Sequence, residues 1–213
     1  MITCYAFGSV PSFAQGLVRD LRVRWALEEA SIPYQIKLVG DRPGEMKREA
    51  YNALQPFGQI PLLEDGDLRL FESGAIVHHI AERSPVLLPT RQPDRAQVVQ
   101  WMYAALNTIE LPIMRLAILD LFHSDQQWAK DERPTAVEFV RHRLAQLAGA
   151  MKGREYLVGA FSAADILMSH VLKILRHTDI LKEQPSLVAY RERCEARPAH
   201  QKALAGQMEA FAA

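Results

Sequence analysis

The sequence predicts a mixed α/β domain followed by an all-helical domain. Three observations carry this. Short β-capable runs alternate with helical periodicity over the first eighty or so residues. Three prolines (Pro85, Pro89 and Pro93) then crowd into one stretch. Beyond them the apolar spacing stays helical to the end of the chain.

Taken in order, Ile2 to Phe7 is short, apolar and β-capable, and Gly8, Pro11 and Gly16 punctuate a loop after it. From Leu17 or Arg19 to Ala30 the spacing is helical, with Leu21, Trp25 and Leu27 facing inward. Pro33 ends that helix, and Tyr34 to Val39 reads as a second strand. Glu45 to Leu54 is a weaker helix, broken by Pro56 and Gly58. Two apolar runs, Ile60 to Leu63 and Leu68 to Phe71, flank Asp65-Gly66, and an Asp-Gly turn so placed signals a hairpin. A third helix runs from Ser73 to Arg83 with Ile76, Ile80 and Ala81 inward. The order over residues 1–84 is β-α-β-α-β-β-α. Residues 85–93 read as a linker. Residues 94–213 read as helices over 94–122, 135–150, 162–175 and 186–196, with a last short helix after Pro198. No internal repeat is present.

Composition narrows the function classes. The chain has 213 residues, enough to bury a core without metals or disulfides. It carries 25 basic and 25 acidic residues and no long run of one sign, so the footprint of a nucleic-acid binder is absent. No apolar stretch approaches a membrane span, and the N-terminus shows no basic segment followed by an apolar one. Cys4 and Cys194 make no disulfide framework, and reduced thiols in a cytoplasmic protein are expected. Cys4 reads as a small buried hydrophobe of the first strand. No Cys-x-x-Cys occurs, which argues against a dithiol oxidoreductase. His78 and His79 are adjacent on a helix and point different ways, so no metal site is predicted.

Three segments carry a family resemblance: Pro56-Phe57-Gly58-Gln59-Ile60-Pro61, Phe71-Glu72-Ser73-Gly74-Ala75-Ile76 and Gly159-Ala160-Phe161-Ser162-Ala163-Ala164-Asp165. In this order and spacing the chain resembles the cytosolic glutathione S-transferase superfamily over nearly its whole length. The resemblance implies a thioredoxin-like first domain, a helical second domain, glutathione as cosubstrate without a metal, a hydrophobic electrophile as second substrate, and a two-fold homodimer. Other readings of the same resemblance are a glutathione-dependent peroxidase or isomerase, and a non-catalytic binding or interaction protein on this fold.

The family's pattern, laid onto these residues, gives them roles. Pro61 would follow a cis peptide bond, turning the backbone N–H and C=O of Ile60 toward glutathione, which pairs with them as one more strand. Gln59 would supply a neutral hydrogen-bonding side chain beside it. Glu72-Ser73 stands where a strand becomes a helix, and free N–H groups there favour an anion. The γ-glutamyl carboxylate is such an anion, Ser73 adds a hydroxyl, and Glu72 offsets the γ-glutamyl ammonium. A capping role for the same pair is equally compatible with the residues. Ser162 to Asp165 has the spacing of a capping box, a folding role rather than a site.

The nucleophile in this chemistry is the glutathione thiolate, which needs a stabilising donor. The stretch Tyr5-Ala6-Phe7-Gly8-Ser9-Val10-Pro11-Ser12 offers Ser9 first, Ser12 second and Tyr5 third. Two registers disagree here, because the loop is longer than the common pattern. Arg19 and Arg22 open the first helix as Arg-x-x-Arg; a cation near the thiol would lower its pKa, but exposed arginines on an amphipathic helix are the preferred reading. Trp101, Tyr103, Leu106 and Met114 are candidates for lining an apolar substrate pocket between the domains.

Overall fold

The structure, a computed structural model, describes residues 1–212. The described chain divides into two compact units: Met1–Leu88 together with the closing helix, and Pro89–Glu195.

The first unit holds a four-stranded sheet in the order β2-β1-β3-β4. β1 (Ile2–Phe7) pairs in parallel with β2 (Tyr34–Val39) and antiparallel with β3 (Leu62–Asp65), which pairs antiparallel with β4 (Leu68–Phe71). Central β1 buries Ile2, Cys4, Tyr5 and Ala6, a near-continuous apolar run that fits a strand covered on both faces. Edge β2 alternates instead: Gln35 and Lys37 are exposed while Tyr34, Ile36 and Leu38 are half-buried. The helices are α1 (Asp20–Glu29), a short α2 (Arg48–Asn52) and α3 (Ser73–Ala81). Sheet plus helices form the thioredoxin-like domain expected from the sequence.

α1 is buried without interruption from Asp20 to Leu27. This corrects the amphipathic reading, in which its arginines face solvent. The cause is that α1 packs on the sheet, on α3 and on α9 (Pro198–Ala212). Trp25 meets the ring of His200 at 4.7 Å, Arg197 pairs with Glu29, and Lys202 pairs with Glu28. Gln207 Nε2 donates to both the Val18 carbonyl and Asp20 Oδ1. The last helix is therefore longer than the sequence suggests and returns to the first unit. Reading by chain order alone had grouped it with residues 94–213.

The second unit is helical: α4 (Gln92–Tyr103), α5 (Glu110–Phe122), α6 (Gln127–Ala150), α7 (Ala163–Lys173) and α8 (Pro185–Glu195). The expected helix 94–122 contains a wider, π-helical turn over Ala104–Ile109. Pro112 follows it, and a proline both lacks an N–H and crowds the carbonyl four residues back, so a locally widened helix accommodates it. α6 begins at Gln127 rather than Thr135 and carries Pro134 inside it. Pro134 faces solvent, where the lost helical hydrogen bond leaves no buried carbonyl unpaired by necessity. α7 is buried along almost its whole length.

Its N-terminus is the capping box foreseen from sequence. Asp165 Oδ2 accepts from the Ser162 N–H at 2.9 Å and the Ser162 hydroxyl at 3.0 Å. Asp165 Oδ1 accepts from the Leu157 N–H at 3.0 Å and from the Tyr190 hydroxyl at 2.9 Å. One buried carboxylate thus ties α7, α8 and the loop before α7. Burial pushes its pKa up, and these four donors pull it down.

Candidate active site

The pairing register gathers three segments at one end of the sheet. Tyr5 faces Leu62, and Leu62 faces Phe71. Carried two residues further, the β1–β3 register sets Phe7 beside Ile60, and β4 leads directly into Glu72-Ser73. Ile60 also packs in one apolar cluster with Tyr5, Val39, Tyr51 and Leu62, against which Phe7 and Val18 rest. The end of β1, the start of β3 and the end of β4 therefore lie at one end of the sheet, with Gln59, Ile60 and Pro61 leading into β3 and Glu72-Ser73 following β4.

The Ile60-Pro61 bond is cis. The chain reaches it through Gly58, whose φ of +63° suits glycine and where an added Cβ would stand 2.8 Å from Asn52 Oδ1. The Tyr51 hydroxyl donates to the Gln59 carbonyl at 2.7 Å and pins the backbone just ahead of Ile60. The Gln59 side chain is exposed. Sequence reading missed Tyr51: helical spacing marks it as inward but does not name its partner.

Glu72 has φ +67° and ψ 114°, an unusual backbone for a residue with a Cβ, and its side chain is exposed. Such strain costs on the order of 1–3 kcal/mol and collects at ligand clamps. Ser73 begins α3 and is buried. The preceding residue, Glu72, makes no side-chain bond to the first turn of this helix. The Ser73 hydroxyl accepts from Arg22 Nη1 at 3.1 Å. Arg22 is 1 % exposed, so this arginine, expected at the surface, is internal. Its reach from α1 to the start of α3 is the reason.

Ser9 lies two residues past β1, at the same end of the sheet, and is exposed. Before it, the Gly8 N–H donates to the Val39 carbonyl at 3.2 Å, and a Cβ on Gly8 would fall 1.7 Å from Glu45 Oε1. Ser12 is also exposed and opens the short 3-10 turn Ser12–Ala14. Tyr5 is placed differently. It is buried within β1, its hydroxyl donates to Glu64 Oε2 at 2.9 Å, and burial with that bond pushes its pKa up to about 12. A phenol so held is a poor proton donor to a thiolate. Arg48, which the sequence reading passed over, stacks its guanidinium 4.8 Å above the Phe7 ring and adds a cation at this end of the sheet.

Cys4 and Cys194 are free and buried, and burial pushes both thiols up, which makes them inert. Among the described residues no group of three His, Cys, Asp or Glu side chains is placed to hold a metal ion. No helix of the described residues is long and apolar enough to cross a membrane. In the second unit Tyr103 is exposed, while Trp101, Leu106 and Met114 are half-buried.

A thioredoxin-like unit with a cis-proline before β3, followed in the chain by a helical unit, defines a two-domain class of protein. Comparison with known proteins takes this one step further. Residues 21–83 match the glutathione S-transferase N-terminal domain, and residues 109–198 match the glutathione S-transferase C-terminal domain. Glutathione S-transferase F14 of Arabidopsis thaliana is 31 % identical over 192 residues, covering 82 % of this chain and 74 % of that protein. A theta class glutathione S-transferase from Xanthomonas axonopodis pv. citri, solved with glutathione bound, is 27 % identical with a TM-score of 0.75, covering 95 % of this chain and 96 % of the other. A glutathione transferase family member from Pseudomonas fluorescens, solved with two glutathione molecules, shares the fold at a TM-score of 0.81 and 22 % identity, over 95 % and 92 % of the two chains. The chain belongs to the cytosolic glutathione S-transferase superfamily and is an enzyme of that family.

Proposed function

We propose that the first unit binds glutathione at the convergent end of the sheet and that the enzyme joins its thiolate to a hydrophobic electrophile. One observation carries the reading: the cis Ile60-Pro61 bond opens β3, and β4, paired with β3 through Leu62 and Phe71, leads directly into buried Ser73 at the start of α3. The tripeptide's backbone pairs with Ile60 as an added strand. Its γ-glutamyl carboxylate takes the Ser73 hydroxyl and the first amides of α3, where the helix dipole favours an anion. Glu72 meets the γ-glutamyl ammonium, Gln59 meets the backbone, and Arg48 offers a cation to the glycyl carboxylate.

The thiol lies toward the end of β1, where Ser9 is the first donor to the thiolate and Ser12 the second. A hydroxyl there stabilises the sulfur anion before attack; the new carbon–sulfur bond forms as the electrophile's leaving group departs or its ring opens. Holding both reactants together supplies much of the remaining acceleration. Two exposed rings, Phe57 and Phe71, meet edge-on at 5.8 Å and support burial of this surface against a second copy. The free cysteines suit the reducing cytoplasm.

The test is turnover with a panel of aryl halides, epoxides and peroxides. Conjugation of at least one aryl halide or epoxide is expected. Ser9→Ala is expected to lower kcat by about 100-fold, the usual loss for one donor to a developing anion, with Ser12→Ala near wild type. The opposite pattern moves the role to Ser12. Glutathione binding with no turnover on any substrate contradicts the conjugation reading.

A further inference from the structure

We propose that Glu45 is a positioning residue for Ser9: its carboxylate, wedged between the ends of β1 and β2, fixes the Gly8-Ser9 turn and accepts a hydrogen bond from the Ser9 N–H when glutathione is bound. The proposal rests on the glutathione reading above, with Ser9 as the thiolate's donor, and deepens it.

Two glycines make room for this carboxylate. Gly8 follows β1 and Gly40 follows β2. A Cβ on Gly8 would fall 1.7 Å from Glu45 Oε1, and one on Gly40 would fall 2.2 Å from Glu45 Oε2. Neither position accepts a side chain while Glu45 stays where it is. The support beneath it is firm. Met46 folds back on β2, donating its N–H to the Leu38 carbonyl at 2.9 Å and accepting from the Gly40 N–H at 3.0 Å. The Arg42 N–H donates to Glu45 Oε2 at 3.1 Å. The Arg42 guanidinium stands 4.0 Å from Glu45 Oε1 and donates to the Phe211 carbonyl at 3.3 Å, a cation at the C-terminal end of α9.

One bond is missing from this arrangement. The Glu45 side chain is 5 % exposed, and its Oε1 is buried and accepts no hydrogen bond. A buried carboxylate oxygen without a donor is costly. Solvent does not reach it, so the donor has to come from the chain. The Gly8 N–H is already given to the Val39 carbonyl. The next N–H belongs to Ser9, which is exposed and makes no hydrogen bond to the described residues. An orphaned acceptor and an unused donor thus flank Gly8. A turn of the Gly8-Ser9 peptide, which glycine permits, joins them. The joined state holds Ser9 by its backbone and aims its hydroxyl at the sulfur, where a misplacement of about 1 Å can cost about 100-fold.

A carboxylate at this end of the sheet also acts through its charge, and that effect has the opposite sign. A nearby negative charge disfavours the thiolate, so removing it lowers the thiol pKa. Losing a positioned donor raises it. The two roles are therefore separable.

The experiment centres on Glu45→Gln, which keeps the shape. Its amide carbonyl still serves the Arg42 N–H, and the NH2 group left toward the turn cannot accept. The thiol pKa of bound glutathione is read from the ultraviolet absorbance of the thiolate, and kinetics are followed on an aryl halide. Both are measured for wild type, Glu45→Gln, Ser9→Ala and the Glu45→Gln/Ser9→Ala double variant. In Glu45→Gln the thiol pKa is expected to rise by about one pH unit and kcat to fall about tenfold, the loss of a misaimed donor rather than a missing one. KM for glutathione stays within about threefold of wild type. In the Ser9→Ala background the same substitution is expected to raise the thiol pKa no further, because the donor it aims is gone.

A thiol pKa that falls or holds in Glu45→Gln overturns the proposal, and so does an equal rise in both backgrounds. Should Glu45→Gln not fold, wild type decides by nuclear magnetic resonance. The Ser9 amide proton is expected to move downfield and to exchange more slowly once glutathione is added; an unshifted, freely exchanging amide overturns the proposal. Two further outcomes overturn it without involving Glu45. Absence of glutathione binding to wild type removes the glutathione reading, and a wild-type thiol pKa in Ser9→Ala removes the role of Ser9.

Discussion

Gln207 Nε2 donates to Asp20 Oδ1 at 2.7 Å across 187 residues of sequence, joining the last helix to the start of the first. The same amide reaches the Val18 carbonyl at 3.2 Å. Asp20 is fully buried, and its other oxygen takes Arg24 Nε at 2.7 Å. Removing Gln207 leaves a buried carboxylate oxygen and a buried carbonyl without this donor. Gln207→Ala is expected to lower stability by about 2–3 kcal/mol. Urea unfolding followed through tryptophan fluorescence checks this, because Trp25 lies in the same helix pair. An unchanged midpoint would mean that α9 does not clamp α1.

Strain at Glu72 gives a second expectation. A glycine tolerates φ +67° without a Cβ penalty. Glu72→Gly is therefore expected to be about 1 kcal/mol more stable than Glu72→Ala. In both variants glutathione should bind more weakly than in wild type, because the carboxylate that meets its ammonium is gone. Equal melting temperatures for the two variants would show that the backbone there is relaxed.

Asp165 is the third test. Asp165→Ala leaves the Leu157 N–H, the Ser162 N–H and hydroxyl, and the Tyr190 hydroxyl without their acceptor. A loss of about 3 kcal/mol or more is expected, beyond the roughly 1 kcal/mol of a simple cap. Calorimetric melting of the purified variant gives the answer. A loss confined to a few tenths would mean that the capping box is not what holds the loop.

The fourth concerns acid. His79 Nε2 meets Asp65 Oδ2 at 3.0 Å, and the Arg83 guanidinium also bonds this carboxylate. The His79 bond first, then Arg83, holds the Asp65 carboxyl below the usual range. A depressed carboxyl pKa stabilises the fold above its unfolded value, near 4, and that stability is lost as pH falls through the folded value. The gap in stability between wild type and Asp65→Asn should shrink as pH falls below about 4. A gap that widens toward acid would reverse the sign of this account.

The segments of the candidate site stand out in the sequence because each is local. The Ile-Pro pair, the Asp-Gly hairpin and the Glu-Ser junction each announce themselves within a few residues, and the strand register then does the rest. What the sequence concealed depends on distant partners. Periodicity places Arg22 on a helix but does not say that α3 begins within its reach, so it reads as a surface charge. Tyr51 goes unnamed in the sequence because its bond to the Gln59 carbonyl needs the loop already folded back. Chain order assigns Pro198–Ala212 to the helical region, while side chains such as His200 and Gln207 find their partners on α1. Prolines misled in the other direction: Pro134 sits on the exposed side of α6, where the lost hydrogen bond costs least, so the helix passes through it.

The central claim is that Ser73 at the start of α3 and the cis Ile60-Pro61 segment together form the seat of glutathione. Titrating the full chain with glutathione by calorimetry tests it most directly. Saturable binding at one site per chain is expected, weakened at least tenfold in Ser73→Ala, the value of about 1.4 kcal/mol for one charge-assisted hydrogen bond. Heats indistinguishable from dilution at millimolar glutathione, or full affinity retained in Ser73→Ala, would contradict it.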